Sequence, residues 1–279
     1  MNKKKIIIFV CIILLLIINI TVAIILINND KKKKEIKDTT TTKIVSTTKK
    51  TSTSTTKETT TTTTKKASDK VNYGNVLEPS GEKTVIGTSS KGYEIYEING
   101  ITYVDGYLIA NKTYSLPEDY NPGELNSTVK SAASKMFAAA KEEIGKNMWA
   151  QSGFRSYSTQ KNLYDKYVTR DGKAKADTYS ARPGHSEHQS GLAFDVCATG
   201  KPCITSGFND TEEAEWLEEN AYRFGFILRY VKDKTDETGY KYESWHFRYV
   251  GTDLAKKLYN DGDWITMEDY FGLTSFYQE

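Results

Sequence analysis

Histidine and cysteine are scarce in this chain: 279 residues hold three of each. That scarcity rules out a scaffold stapled by many bridges and a zinc site built from four thiolates. A uniform basic surplus is missing too. Residues 1–70 carry 15 Lys/Arg against 5 Asp/Glu, while the other 209 carry 23 against 31. The formal +2 of the whole chain therefore averages a basic head and a mildly acidic body. An acidic body argues against a nucleic-acid partner, and a basic head bears on membrane topology instead. Residues 29–70 are nearly devoid of apolar side chains, with runs such as Thr59 to Thr64. Such a segment cannot offset the entropy of ordering, so it is expected to be a disordered, Thr/Lys-rich linker. No internal repeat is evident.

One long apolar run is present. Ile6 to Ile27 is interrupted only by Asn19 and Thr21. At about 1.5 Å per residue it can cross a hydrocarbon core of roughly 30 Å. Lys3 to Lys5 precede it and Lys31 to Lys34 follow it. No small-residue cleavage pattern accompanies it, so residues 1–28 are expected to be a single-pass signal anchor. Secretion after cleavage is the alternative. Either reading puts the C-terminal portion outside the cell. Cys11 lies within this run and reads as ordinary apolar surface.

Residues 71–106 suggest a short β-rich extension. The alternation Tyr93-Glu94-Ile95-Tyr96-Glu97-Ile98 leads to Asn99-Gly100, a hairpin turn signal, and then Ile101 to Val104. Residues 107–279 form the main domain. Asn126 or Ser127 can cap a first helix whose apolar positions run from Val129 through Met136, Phe137 and Ala140 to Ile144, with Gly145 as the stop. A second helix is expected from Ser158 to Arg170, and a third from Asp210 with Glu213 completing a capping box. Shorter helices are expected from Thr252 and Thr266. Strands are expected at 148–152, 191–196, 226–230 and 245–250. The interspersed order predicts an α+β fold, helices packed on a mostly antiparallel sheet.

All three histidines fall in two short segments, 182–195 and 243–246, each rich in carboxylates. Read as a strand from Gly191, the first segment sends Leu192, Phe194 and Val196 to the core and Gly191, Ala193 and Asp195 to the other face. Two small residues there leave space beside Asp195 for a metal and a substrate. Pairing of Asp195 with a neighbouring arginine is the plainer alternative. His188, Asp195 and His246 supply two imidazoles and a carboxylate, which suits a catalytic Zn2+ with one open position. Glu243 then remains free as a general base. Glu243 and His246 are three apart, so a regular strand would put them on opposite faces. Glu243 is therefore expected to precede the strand. Cys197 and Cys203, six apart in a loop with Gly200 and Pro202, can close a disulfide; a second metal site is the alternative, for which a third and fourth ligand are missing nearby.

At these residues a resemblance becomes specific. The pattern Ser186-x-His188-x-x-Gly191-x-Ala193-x-Asp195, followed by Glu243-x-Trp245-His246, resembles the VanY-type D-alanyl-D-alanine carboxypeptidases. Segments 152–160, 225–230 and 239–249 extend the likeness over most of the main domain. The resemblance implies zinc on His188, Asp195 and His246, Glu243 as catalytic base, and Arg155 as a catalytic and substrate-binding residue. It implies Ser186 near the substrate carboxylate. Tyr157 and Gln160 are placed at the cleft wall, with packing as an equal alternative. His185 has no ligand role in the pattern and reads as an outer-shell or exposed residue. Trp245 reads as core or cleft wall. The implied reaction is hydrolysis of the C-terminal D-Ala-D-Ala bond of peptidoglycan stem peptides. An L,D-carboxypeptidase, a D,D-dipeptidase or an endopeptidase would share these ligands, with specificity set by loops such as 232–242 and 197–203. A non-catalytic cell-wall binding module is the alternative from another class, and the intact Glu243 argues against it.

Overall fold

A computed structural model describes residues 80–278. The expected membrane segment, the linker and the first nine residues of the extension lie outside the described residues. Among the described residues no helix is long and apolar enough to cross a membrane.

Two four-stranded antiparallel sheets organise this portion. The first is a meander of β1 (Thr84–Thr88), β2 (Glu94–Ile98), β3 (Ile101–Val104) and β4 (Tyr107–Leu108). Its turns at Asn99-Gly100 and Asp105-Gly106 all have positive φ, as a two-residue hairpin turn demands. The first turn was legible. The second pairs β4 with β3, so this sheet runs past the expected boundary at 106.

The second sheet has the order β5-β6-β8-β7, from β5 (Met148–Ser152), β6 (Ala193–Ala198), β7 (Phe226–Leu228) and β8 (His246–Tyr249). Opposed residues share a face. Phe194 and Phe247 are partners across β6 and β8, and both are wholly buried. Burying such a ring stabilises by roughly 1.5–3 kcal/mol. Helix α1 (Ser127–Ile144) lies over that face, burying Val129, Ala133, Met136 and Ala140, with Phe137 edge-on to Phe194. Asn126 caps it by accepting from the Thr128 amide, and Gly145 ends it with φ 72°, so both expected signals hold.

Helix α2 (Tyr157–Asp171) starts one residue earlier than expected, because the Ser156 hydroxyl accepts from the Thr159 amide. Helix α3 (Glu212–Asn220) corrects the expected capping box. Thr211, not Asp210, is the cap, and its hydroxyl accepts from the Ala214 amide rather than pairing with Glu213. Helices α4 (Thr252–Tyr259) and α5 (Met267–Phe271) form where expected, α5 capped by Thr266. The connection from β7 to β8 carries a further short helix at Thr235–Thr238.

The expected strand from Gly191 is also corrected. Glu187–Ser190 form a 3-10 turn that Gly191 closes at φ 69°, and β6 begins only at Ala193. A Cβ on Gly191 would sit 2.7 Å from the backbone oxygen of Glu124. Glycine therefore serves the close approach of the 122–126 segment. The space beside Asp195 owes nothing to Gly191.

Candidate active site

Sheet register builds the site. Asp195 opposes His246 across β6 and β8, and Ser152 opposes Asp195 from β5, past a bulge between Ala150 and Ser152. This row lies on the face opposite Phe194 and Phe247. The 3-10 turn before β6 then brings in His188. Its carbonyl accepts from the Arg155 amide at 3.1 Å, which ties the turn to the loop after β5.

Asp195 Oδ2 lies 3.3 Å from His188 Nε2, and Oδ1 lies 3.1 Å from His246 Nδ1. The three potential ligand atoms are all within 4.8 Å of one another, and all three residues are buried. The remaining nitrogens have their own partners. His188 Nδ1 meets the Gly153 carbonyl at 2.7 Å, and His246 Nε2 meets Glu187 Oε2 at 3.3 Å. Those partners fix the tautomers, leaving lone pairs on His188 Nε2 and His246 Nδ1. Two oriented imidazoles and one carboxylate, facing a cleft, fit a zinc ion with an open position.

Electrostatics agree with that use. Burial pushes Asp195 up, but His188 and His246 hold it well below the ordinary carboxylate range. Burial lowers His188, and Asp195 does not fully restore it. Burial works the same way on His246, yet hydrogen bonds to Asp195 and Glu187 prevail and raise it to about 9. A metal must therefore displace a proton there. Glu243 is raised to about 8, by burial first and by Asp195, against the pull of His246 and Arg155. A dication on the three ligands would draw Glu243 back down.

The cleft encloses about 300 Å³. Arg155, Gln160, Ser186, Glu243 and Trp245 line it beside the three ligands. Glu243 sits in a turn before β8, as expected, its carbonyl accepting from the His246 amide at 3.2 Å. Trp245 is both core and wall. Arg155 stands 3.8 Å from Asp195, its Nη1 donating to Gln160 Oε1 at 2.8 Å and its Nη2 to Ser152 Oγ at 3.0 Å. Gln160 also donates to the Ala181 carbonyl at 2.6 Å. Both ends of its amide are thus engaged in holding Arg155 against the 180–181 segment. Tyr157 does not line the cleft; its ring lies against Gly184. His185 is half-buried rather than exposed and lies outside the ligand set, with Nδ1 2.7 Å from the Asn111 carbonyl. Cys197 and Cys203 form a disulfide, with Cα atoms 5.1 Å apart. A larger groove of about 610 Å³, lined by residues such as Glu218, Tyr259 and Trp264, holds no histidine or cysteine, so size alone does not mark the site.

Sequence reasoning missed the support behind His246. Glu187 Oε1 accepts from Arg229 Nε at 2.8 Å and Arg248 Nη1 at 3.0 Å. Arg229 in turn clasps Glu268 of α5 through both Nη atoms, at 2.8 and 2.7 Å. All four side chains are buried. The two arginines keep Glu187 ionised despite its burial. Only the placement of Glu187 between Ser186 and His188 could have signalled it. Ile204 was missed as well. It is a β-branched residue at φ 53°, exposed at the mouth of the cleft just after the disulfide.

Comparison with known proteins decides the family. The family model described as VanY, D-alanyl-D-alanine carboxypeptidase, matches residues 123–252. A putative carboxypeptidase, YodJ, of Bacillus subtilis is 37% identical over 201 residues, 64% of this chain and 72% of that protein. The chain belongs to the VanY family of D-alanyl-D-alanine carboxypeptidases. Among solved structures, an L,D-carboxypeptidase DacB of Streptococcus pneumoniae is 42% identical, covering 70% of this chain and 99% of that one, with a TM-score of 0.55. A mutant of the vancomycin resistance D,D-pentapeptidase VanY from a VanB-type cassette, solved with Zn(II), is 36% identical, covering 58% and 96%, with a TM-score of 0.50. The chain is thus a peptidoglycan carboxypeptidase of the zinc-dependent VanY type.

Proposed function

We propose that this protein removes the C-terminal D-alanine from peptidoglycan stem peptides, acting on the D-Ala-D-Ala end. The observation that carries this reading is the convergence of His188, Asp195 and His246 beside Glu243 and Arg155 in one cleft. Zinc held by the three ligands supplies Lewis-acid chemistry, activating water and polarising a carbonyl. Glu243 takes a proton from the attacking water and delivers it to the leaving amine. Burial and Asp195 raise Glu243 in the metal-free cleft, and a dication on the three ligands would lower it again, so that the carboxylate is free to take the first proton. Arg155, pre-aimed by Gln160 and Ser152, meets negative charge, either the terminal carboxylate or the oxyanion formed during attack. Ser186, buried in the wall, is the assigned partner for the same carboxylate. The apolar run at 6–27 supports an anchored enzyme facing the cell wall, with the polar segment as its tether.

A second reading, L,D-carboxypeptidase activity, is favoured by the higher identity and fuller coverage of the pneumococcal enzyme. Both readings remove a terminal D-alanine and differ in the residue before it. Incubation with purified pentapeptide and tetrapeptide muropeptides, followed by mass spectrometry with and without a chelator, separates them. Loss of one alanine from the pentapeptide alone supports the D,D reading. Loss from the tetrapeptide supports the L,D reading. No chelator-sensitive cleavage of either refutes both.

A further inference from the structure

The C-terminal tail packs against two walls of the metal cleft, and Tyr277 is its anchor. The backbone amide of Arg182 donates to the Tyr277 hydroxyl at 2.9 Å, and that hydroxyl shares a 3.0 Å hydrogen bond with the hydroxyl of Tyr240. Tyr240 lines the cleft. The Tyr277 ring also meets the Arg182 guanidinium, 3.8 Å from its centroid, and the ring of His185, perpendicular to it at 5.1 Å. This is where the third histidine is used. Two residues earlier in the tail, Ser275 donates to the Thr238 carbonyl at 2.6 Å.

The tail thus joins the 182–186 segment, which carries Ser186, to the 238–240 segment, which carries Tyr240. These segments are some fifty residues apart in sequence, and each contributes a residue to the cleft lining. Ring contacts continue inward. Tyr240 lies 4.8 Å from Tyr230, and Tyr230 lies 4.9 Å from His246. Among the described residues, the side-chain hydrogen bonds and ion pairs of His188, Asp195 and His246 go to Gly153, Arg155, Glu187 and one another, not to the tail.

We propose that the tail is a strap for the substrate pocket, with Tyr277 as a positioning residue. It sets the separation of the Ser186 and Tyr240 walls, and so the fit of the peptide end, without entering the chemistry. The kinetic part of this inference rests on the proposed carboxypeptidase activity.

The test compares the zinc-loaded full chain with Tyr277→Phe, which keeps the ring and loses both hydroxyl bonds, and with a chain ending at Phe276. Phe276→Ala is the control, since that ring is 55% exposed. With the muropeptide that the wild type cleaves, KM is expected to rise roughly fivefold in Tyr277→Phe, about the worth of one hydrogen bond. The rise is larger in the truncated chain. The kcat and zinc content stay at wild-type values, and Phe276→Ala changes nothing. Hydrogen exchange gives a second readout: the Arg182 amide and residues 238–241 exchange faster in Tyr277→Phe. An unchanged KM overturns the strap, and so does a fall in kcat or zinc content with KM unchanged. If the wild type cleaves no muropeptide, the activity assignment fails on its own. Exchange then decides the strap, supporting it if both segments accelerate and overturning it if neither does.

Discussion

Replacing Glu187 by glutamine isolates the support behind the metal site. Glutamine keeps the shape of the side chain and removes its charge. Arg229 still has Glu268, through two hydrogen bonds. Arg248 loses its only carboxylate among the described residues and is left with neutral acceptors, the carbonyls of Leu108 and Tyr249, at 2.8 and 3.1 Å, and the glutamine oxygen. Breaking a buried pair in this way costs about 3–5 kcal/mol. At roughly 2–4 °C per kcal/mol for a folded unit of this size, the melting temperature should fall by about 6–20 °C. The second effect falls on zinc. His246 loses the carboxylate that orients its Nε2 and raises the basicity of its Nδ1. Loss of such a partner weakens metal binding by roughly 10- to 100-fold. Thermal unfolding of the metal-free protein reads the first effect, and competition against a chromophoric chelator reads the second. Zinc affinity within twofold of wild type, alongside the lowered melting temperature, would refute the orienting role and leave Glu187 as a structural ion only.

The remaining expectations follow from the same geometry. Glu243→Gln should retain zinc and lose roughly 10²- to 10⁴-fold in kcat; near-normal turnover would remove Glu243 from the mechanism. Acidity acts in opposite directions on metal and fold. His246 at about 9 and Glu243 at about 8 both bind protons more tightly in the folded metal-free protein than when unfolded. Their contribution to stability is full at low pH and is lost as pH rises through those values. Denaturant unfolding of the metal-free protein should therefore show a decline from these groups, Glu243 between about pH 4.5 and 8 and His246 between about pH 6.5 and 9. Zinc affinity should climb over the same window by about tenfold per pH unit, because His246 must release its proton. Gly191→Ala should destabilise by roughly 1–3 kcal/mol, since the residue holds φ 69° and its Cβ would meet the Glu124 oxygen; an unchanged unfolding midpoint would contradict that close approach.

What the linear sequence by itself determined is the family resemblance and the candidate ligand set. Histidine is rare enough here that two short segments hold every imidazole, and the pattern of Asp195 and Glu243 around them carries the resemblance to the VanY-type zinc peptidases. Helix α1 and its caps were also legible, because periodicity and capping are local properties of neighbouring side chains. The tertiary structure decided everything that depends on residues distant in sequence. Sheet register put Asp195 opposite His246. The route of the 122–126 segment, not an empty strand face, explained Gly191. Folding buried Glu187 between two arginines and made Gln160, which lines the cleft as expected, a brace for Arg155 as well. It also carried the tail back to His185 and Tyr240. Such placements arise from chain crossings and shared burial, which no window of neighbouring residues contains.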